Sequence, residues 1–540
     1  MAVHSIEQAV ASSSRAYVLP PGFRPSYGTA GFRAVADLLH STMFRCGILM
    51  AARALKTQQV TGICITASHN PAPDNGVKLV EPSGEMLCQD WESYANDLAT
   101  AQTDAELAKR VMALLAAEGI PATGPALVMV AHDTRPSGPE LAAAFADGVR
   151  CLGAQVQMCG LLTTPQLHWM VMSRNLGAPW AESDYYSALA GAYQRLVAGT
   201  QPLGQPLYMD CANGVAAPKM AALATALAAA GTPLALHLLN TGEGVLNGGC
   251  GSDFLQKDRQ LPSNFQGVPP GARCCAVDGD SDRLMYFTPL QEAGGRALLF
   301  DGDRIACLSA MLLKDLISQL PPAAQDVSVG IIQTAYANGA ASRYIRDNLG
   351  CSVEVTPTGV KYLHEAAHHF DVGVYFEANG HGTVLFSKTL LARLEQLKEE
   401  SRAAFELLAL AVVINQAVGD ALSGILLVEA ALRRKGWGLD QWAALYTDLP
   451  SRQLKVTVAD RAAIVTTDAE TRVAQPAGLQ AAIDAAVAAV PNGRSFVRPS
   501  GTEDVVRVYA EAETQDAADG LAAAVARLVH ARAGGVGPAP

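Results

Sequence analysis

A chain of 540 residues is too long for one hydrophobic core, and typical domain sizes divide it into about three or four domains. Hydrophobic residues make up 50% and charged residues 17%, the balance of a globular chain rather than a disordered one. A net charge of −11 excludes a general nucleic-acid binder, because neutralising a phosphate backbone needs a basic surface.

The 11 cysteines are odd in number, form no C-x-x-C pair and include the adjacent Cys274 and Cys275. Neither a zinc site nor a disulfide framework is indicated. Reduced, mostly buried thiols fit a cytoplasmic protein. Residues 1–15 carry no apolar core of signal-peptide length. The most apolar long run, 405–428, is broken by Asn415, Gln416 and Asp420, so it reads as one or two buried helices and not as a membrane span.

In chain order, Tyr27-Gly28-Thr29-Ala30-Gly31-Phe32-Arg33 is a tight glycine loop ending in an arginine, either an anion site or a plain turn. A helix over 43–55 leads to Thr61-Gly62-Ile63-Cys64-Ile65, the end of a buried strand. Thr66-Ala67-Ser68-His69-Asn70-Pro71 then turns on small residues, and the proline holds Asn70 out of helical geometry. One hydroxyl, Ser68, is thereby presented at the tip of a turn after a strand. That is the placement of a nucleophile or phosphate carrier, although Ser-His alone is more often an ordinary polar turn. A second turn is expected at Asp74-Asn75-Gly76, before Lys78.

A helix is expected over 105–117 with Thr103 or Asp104 as its cap, and a strand over 126–131 that ends at His132-Asp133-Thr134-Arg135. A helix over 139–151 and a strand over 155–159 continue the α/β alternation, which Leu162-Thr163-Thr164-Pro165 closes. The same alternation resumes with a helix over 183–197, a strand over 206–211, a helix over 218–230 and a strand over 234–239. The glycine-rich stretch 242–253 has spacing too irregular for a dinucleotide fingerprint, which discounts a nicotinamide enzyme.

An apolar run over 274–277 empties into Asp278-Gly279-Asp280-Ser281-Asp282-Arg283. Three carboxylates at alternate positions of one loop repel one another unless a cation lies between them, and hard oxygen ligands favour magnesium. A calcium-binding EF-hand is excluded, since Arg283 and Pro289 stand where it needs glycine and glutamate. Asp301-Gly302-Asp303-Arg304 repeats only half of this pattern and opens a helix over 305–320, with Asp301 or Asp303 as a cap. Strands over 327–332, 352–355 and 372–376 follow, and the last leads into Glu377-Ala378-Asn379-Gly380-His381-Gly382. Acid and amide side chains there can bridge neighbouring sugar hydroxyls.

Pro450 marks the last domain boundary. Strands over 456–465 and 505–512 and helices over 478–490 and 517–533 complete the chain, with a disordered Gly-Pro tail after Ala533. The loop 495–504 holds Arg498, Pro499, Ser500, Gly501 and Thr502, and Arg507 lies just beyond, a dense set of phosphate donors.

The Ser68 turn, the Asp278–Asp280–Asp282 loop, the Glu377 loop and Arg498-Pro499-Ser500-Gly501-Thr502 resemble, in order, the four signature loops of the α-D-phosphohexomutase superfamily. Glu377-Ala378-Asn379-Gly380 is similar to the sugar loop of its acetylglucosamine branch, where the glucose and mannose branches usually carry Glu-x-Ser-Gly. The resemblance implies three related α/β domains with mixed sheets and a smaller C-terminal α+β domain around a central cleft. The expected limits are 1–180, 181–296, 297–449 and 450–540. It also implies an isomerase that moves phosphate between the 6 and 1 positions of an N-acetylhexosamine through phosphorylated Ser68 and a 1,6-bisphosphate. Ser68, Asp278, Asp280 and Asp282 would hold one Mg2+. Glu377, Ala378 and Asn379 would hold the sugar, and the 498–502 loop with Arg507 the phosphate that is not reacting. Arg33, His69, Lys78 and His381 are candidates for the general acid and base. The rival readings are a glucose or mannose mutase with the same sites, and a non-catalytic sugar-phosphate binder.

Overall fold

The first two sheets mix parallel and antiparallel pairs. The structure, a computed structural model, describes residues 3–28, 31–291, 295–500 and 504–540. Strands β1 (Phe32–Val35), β2 (Thr61–Ile65), β3 (Asp74–Val80), β4 (Leu127–His132) and β5 (Gln155–Leu161) form a sheet in the order β1-β3-β2-β4-β5. Strand β4 lies parallel to β2 and β5, whereas β3 runs antiparallel to β1 and β2. The second sheet takes β6 (Leu207–Asp210), β7 (Leu236–Leu239), β8 (Cys274–Val277), β9 (Leu284–Pro289) and β10 (Ala297–Phe300) in the order β10-β9-β8-β6-β7. A third has β11 (Val329–Thr334), β12 (Ser352–Thr356), β13 (Val372–Phe376) and β14 (Gly382–Phe386) in the order β12-β11-β13-β14.

The chain then turns to antiparallel structure. Strands β15 (Ser451–Thr457), β18 (Arg494–Pro499) and β19 (Val505–Glu511) pair as β15-β19-β18, beside the hairpin β16 (Val465–Thr467) and β17 (Arg472–Gln475). The helix Gln515–Arg532 buries Leu521, Val525 and Val529 in the same cluster as Val497, Val506 and Val508.

Two compact units result: Met1–Asp301 with Asn379–Val384 and Phe405–Gly436, and Gly302–Ala378 with Leu385–Ala404 and Trp437–Pro540. The apolar run of the sequence becomes two helices, Arg402–Val413 and Ala421–Lys435, and no helix among the described residues is long and apolar enough to cross a membrane. Buried polar groups fix the second of these helices in the first unit. The Glu429 carboxylate meets Arg273 Nε at 3.0 Å and accepts from the Tyr286 hydroxyl at 3.1 Å. Asp420 caps the helix through the Leu422 and Ser423 amides and also accepts from the Tyr185 hydroxyl at 2.8 Å. Removing one partner of such a buried pair leaves an uncompensated charge, which makes the attachment specific.

The structure corrects four local expectations and narrows a fifth. Asp74-Asn75-Gly76 is no turn: it opens β3, because its backbone pairs with β1, Val35 opposite Asp74 and Arg33 opposite Gly76. The expected strand over 456–465 is interrupted, since Asp460 accepts from the Ala462 amide and turns the chain through a short 3-10 segment. Arg498 and Pro499 belong to β18 and not to a loop. Of the two cap candidates, Asp303 lies inside the first turn of the helix Gly302–Ile317, where its Oδ2 accepts from the Asn338 amide at 2.8 Å, and Asp301 is the residue directly before the helix. The Gly-Pro tail is partly ordered: the Val536 amide bonds to Thr457 O at 2.9 Å and the Ala459 amide to Gly534 O at 2.9 Å.

Candidate active site

Ser68 stands at the end of β2 with a left-handed φ of +53° and is 1% exposed. For a residue with a Cβ this conformation costs on the order of 1–3 kcal/mol, so its surroundings must impose it. The Ser68 amide donates to Thr66 Oγ1 at 2.9 Å, and Thr66 Oγ1 donates to Asp133 Oδ2 at 2.7 Å. The Ser68 hydroxyl donates to Asp278 Oδ2 at 2.5 Å and lies 3.4 Å from His69 Nδ1.

The acidic loop joins β8 to β9. Asp278 Oδ1 accepts from the Asp282 amide at 3.1 Å and the Arg283 amide at 3.2 Å, which curls the loop around its own first carboxylate. Asp280 Oδ2 accepts from Lys78 Nζ and from Thr164 Oγ1, each at 2.6 Å. Lys78, carried on β3, also bonds Asp282 Oδ2. Each of the three carboxylates offers an oxygen within 4.8 Å of the other two. Among the described residues Asp280 Oδ1 is buried without a hydrogen-bond partner.

Burial, together with Asp282 and Asp280, pushes the Asp278 carboxyl well above the usual range. Burial and Asp282 also raise Asp280, but Lys78 and Thr164 outweigh them and bring it below its ordinary value. Asp282 falls well below the ordinary range: burial is opposed by Lys78, His381 and Arg283. Lys78 is buried, yet the two aspartates hold it more firmly charged than a free lysine. Lys78 faces two of these three crowded carboxylates, and Arg283 Nε stands 3.9 Å from the third, at Asp278 Oδ2. A phosphate on Ser68 would add nearly two negative charges. The orphaned Asp280 oxygen and this added charge fit a hard divalent cation, and the oxygen-only donor set suits Mg2+.

The first unit also places Asn379 and His381 beside this loop. Leu284 N donates to Gly380 O at 3.0 Å, and a Cβ on Gly380, whose φ is +85°, would fall 2.1 Å from Leu284 O. His381 Nδ1 then stands 3.4 Å from Asp282 Oδ1. The Asn379 side-chain oxygen Oδ1 accepts from the His381 amide at 2.9 Å, so the residue shapes its own turn. Arg33 reaches Asn70 Oδ1 at 3.5 Å.

The second unit holds half-buried Glu377 and Ala378, and separately the phosphate-donor set. Arg498 and Arg507 are directly opposed in the β18–β19 ladder, with Pro499 opposite Val506. Ser500 is buried, and its amide donates to Val505 O at 2.9 Å. Gly501 and Thr502 lie outside the described residues, as do Thr29 and Ala30 of the first glycine loop. Two arginines directly opposite repel, by roughly 0.2–1 kcal/mol for a like-charged pair, unless an anion lies between them. Glu470 supplies a carboxylate to Arg498 Nε at 3.1 Å and accepts from the Thr358 amide at 2.9 Å.

Sequence reading missed Thr164, which grips Asp280, and the residues that grip the Ser68 backbone. Thr164 opens the helix Thr164–Asn175, inside the capping box that runs from Thr163 to Gln166. No helix is expected there from the sequence, and nothing in Leu162-Thr163-Thr164-Pro165 points toward the acidic loop.

The family Phosphoacetylglucosamine mutase AMG1 matches with its domain III over residues 301–437 and its domain II over 177–285. The phosphoglucomutase/phosphomannomutase alpha/beta/alpha domain I matches over 47–105 and 90–179, and the C-terminal domain of that family over 454–528. A phosphoacetylglucosamine mutase of Sus scrofa is 45% identical over 544 residues, covering 98% of each chain. This chain belongs to the phosphoacetylglucosamine mutase family. A solved N-acetylphosphoglucosamine mutase of Aspergillus fumigatus, in complex with GlcNAc-6P and magnesium, superposes with a TM-score of 0.91 at 42% identity, covering 97% of this chain and 98% of that one. A serine-to-alanine variant of the same fungal enzyme, in complex with glucose 1,6-bisphosphate, gives 0.89 at 41% identity, covering 97% and 98%. A solved N-acetylglucosamine-phosphate mutase, a member of the alpha-D-phosphohexomutase superfamily, gives 0.92 at 39% identity, covering 97% and 99%, so the three α/β sheets and the antiparallel C-terminal sheet are the phosphohexomutase architecture.

Proposed function

We propose that this chain interconverts N-acetylglucosamine 6-phosphate and N-acetylglucosamine 1-phosphate, with Ser68 as the phosphate carrier. The observation that carries this reading is the Ser68 hydroxyl 2.5 Å from Asp278 Oδ2, at the mouth of three buried carboxylates. A pure binder needs neither a buried nucleophile nor the charge that surrounds it. In the first half-reaction the sugar's free hydroxyl oxygen bonds to phosphorus as the bond from phosphorus to Ser68 Oγ breaks, giving the 1,6-bisphosphate. After the bisphosphate turns over, Ser68 Oγ takes back the other phosphate and leaves the isomeric monophosphate.

Asp278, Asp280 and Asp282, with a phosphoserine oxygen, would hold the Mg2+. When bound, the ion neutralises charge on the transferring group. Lys78 bridges Asp280 and Asp282 and partly neutralises them. Of the four acid and base candidates, only an imidazole, His69 or His381, can accept the proton of the attacking hydroxyl; Lys78, held charged by Asp280 and Asp282, and the Arg33 guanidinium can serve only as acids or as fixed positive charge. Arg498, Pro499, Ser500, Gly501, Thr502 and Arg507 take the non-reacting phosphate, and Glu377, Ala378 and Asn379 take the sugar. Separate phosphate and sugar holders suit a ligand that must bind in two orientations. The assigned domains are 1–180, 181–296, 297–449 and 450–540. A cytoplasmic site of action, supplying the 1-phosphate for UDP-N-acetylglucosamine synthesis, is supported by 11 cysteines that are all free.

A coupled assay on N-acetylglucosamine 6-phosphate, with and without Mg2+ and primed with the bisphosphate, tests the proposal. Turnover that requires the metal and exceeds turnover of glucose 6-phosphate is expected. Equal or greater activity on the glucose or mannose phosphates would reject the acetylamino substrate.

A further inference from the structure

The glycine-rich stretch 242–253 has no part in the chemistry assigned so far. Its chain passes Asn247 with φ +56°, a left-handed position that asparagine tolerates, and so aims the carboxamide back at the carrier loop. Asn247 Nδ2 donates to Ser68 O at 3.0 Å and to Asn70 O at 3.2 Å. Arg135 grips the same two carbonyls from its own side: Nη2 donates to Ser68 O at 3.0 Å and to Asn70 O at 2.9 Å. Its Nη1 takes Pro71 O at 2.6 Å and Asp74 O at 2.8 Å. Arg135 is 1% exposed, and Asp133 Oδ2 fixes its Nε at 3.1 Å. On a third side the acidic loop comes so near that a Cβ on Gly279 would fall 2.6 Å from Ser68 O.

We infer that Asn247 is a positioning residue for phosphoryl transfer, which together with Arg135 clamps the carbonyls of the Ser68 loop and so holds Ser68 Oγ against Asp278. The inference rests on the reading of Ser68 as carrier. Oγ lies three bonds from the Ser68 carbonyl carbon, so a shift of that peptide carries the hydroxyl with it. Arg135 holds the loop within the first sheet's own domain. Asn247 ties the backbone of the loop to the segment bearing the metal loop, where the Ser68 hydroxyl already meets Asp278, and the reaction depends on that registration.

The test uses full-length Asn247→Ala and Asn247→Asp. Aspartate keeps the shape and tolerates the left-handed φ, but turns carboxylate oxygens toward two carbonyl oxygens. Ser68 is first dephosphorylated, and its rephosphorylation by N-acetylglucosamine 1,6-bisphosphate is then followed in single turnovers by intact mass, well below the melting temperature. Expected results are a transfer rate lower by about tenfold to a hundredfold, a greater loss for aspartate than for alanine, and an unchanged KM for N-acetylglucosamine 6-phosphate. A residue that only stabilises the fold would lower the melting temperature and leave the transfer rate of the folded enzyme alone. Wild-type transfer rates in both variants, while Ser68 is phosphorylated normally, overturn the clamp and spare the carrier. Failure of wild-type Ser68 to take phosphate overturns both.

Discussion

Replacing Arg507 with glutamine separates binding from stability in a way that few substitutions can. Arg507 and Arg498 face one another across the β18–β19 ladder, and the Arg498 side chain is 16% exposed. Like charges so placed cost roughly 0.2–1 kcal/mol, part of which Glu470 offsets through Arg498. Glutamine keeps much of the apolar stem and removes the charge, so the folded protein should melt at the same temperature or slightly higher. Binding should move the other way. A charge-assisted hydrogen bond to phosphate is typically worth about 1.5–3 kcal/mol, which is roughly a tenfold to 150-fold loss of affinity. Calorimetric titration of the dephosphorylated enzyme with N-acetylglucosamine 1-phosphate reads the affinity, and thermal melting reads the stability. Unchanged affinity, or a melting temperature that falls in step with it, would refute the assignment of this pair to an anion. The latter is the behaviour of an arginine that only holds the sheet together.

Asp280→Asn should weaken Mg2+ binding at least tenfold and, because Lys78 and Thr164 hold this carboxylate charged in the folded chain, should also lower the melting temperature of the metal-free protein; isothermal titration with Mg2+ and melting in chelator check both. Asp210 offers a pH test away from the site. Burial raises its carboxyl from 3.8 to about 6, against hydrogen bonds from the Gly251 amide, Asn240 and the Ala212 amide. The folded state therefore holds the proton more tightly than the unfolded one. This contribution is complete below the unfolded value and disappears as pH rises through about 6, about 3 kcal/mol in all. Chemical denaturation from pH 4 to 7 should give a wild-type stability that declines relative to Asp210→Asn, and a constant difference would contradict it. Asn379→Ser should keep the sugar-loop turn, because a serine hydroxyl also accepts from an amide two residues on, while the kcat/KM ratio shifts toward glucose 1-phosphate. An unchanged ratio would remove Asn379 from substrate choice.

The parts of the site that were legible are those written in one short stretch of chain. Small residues before Asn70-Pro71 announce a turn, and aspartates at alternate positions announce a cation, whatever the rest of the protein does. Those helices and strands of the α/β alternation that are expected lie close to their true limits for the same reason, as with the strand Cys274–Val277 and the helix Asp104–Ala117 capped by Thr103, whereas the helices Gln89–Thr100 and Thr164–Asn175 and the strands β9, β10 and β14 are not expected at all. What was not legible depends on partners far away in sequence. Lys78 was placed after a turn because Asp74-Asn75-Gly76 has turn composition, and only pairing with β1 makes it strand. Thr164, Arg135 and Asn247 act through bonds to Asp280 and to the Ser68 loop that no local pattern marks. Arg498 is expected in the loop before Val505, but pairing with β19 makes 494–499 a strand, and at its end on the sheet's edge Pro499 forfeits no ladder bond.

The account stands on phosphate carried by Ser68, and intact-mass spectrometry with site mapping after incubation with the 1,6-bisphosphate measures it directly. One phosphate on wild-type Ser68, none at that position in Ser68→Ala, and a fall of several orders of magnitude in turnover of the folded variant are the results expected when a covalent route is removed. A Ser68→Ala enzyme that isomerises N-acetylglucosamine 6-phosphate at close to the wild-type rate would contradict it.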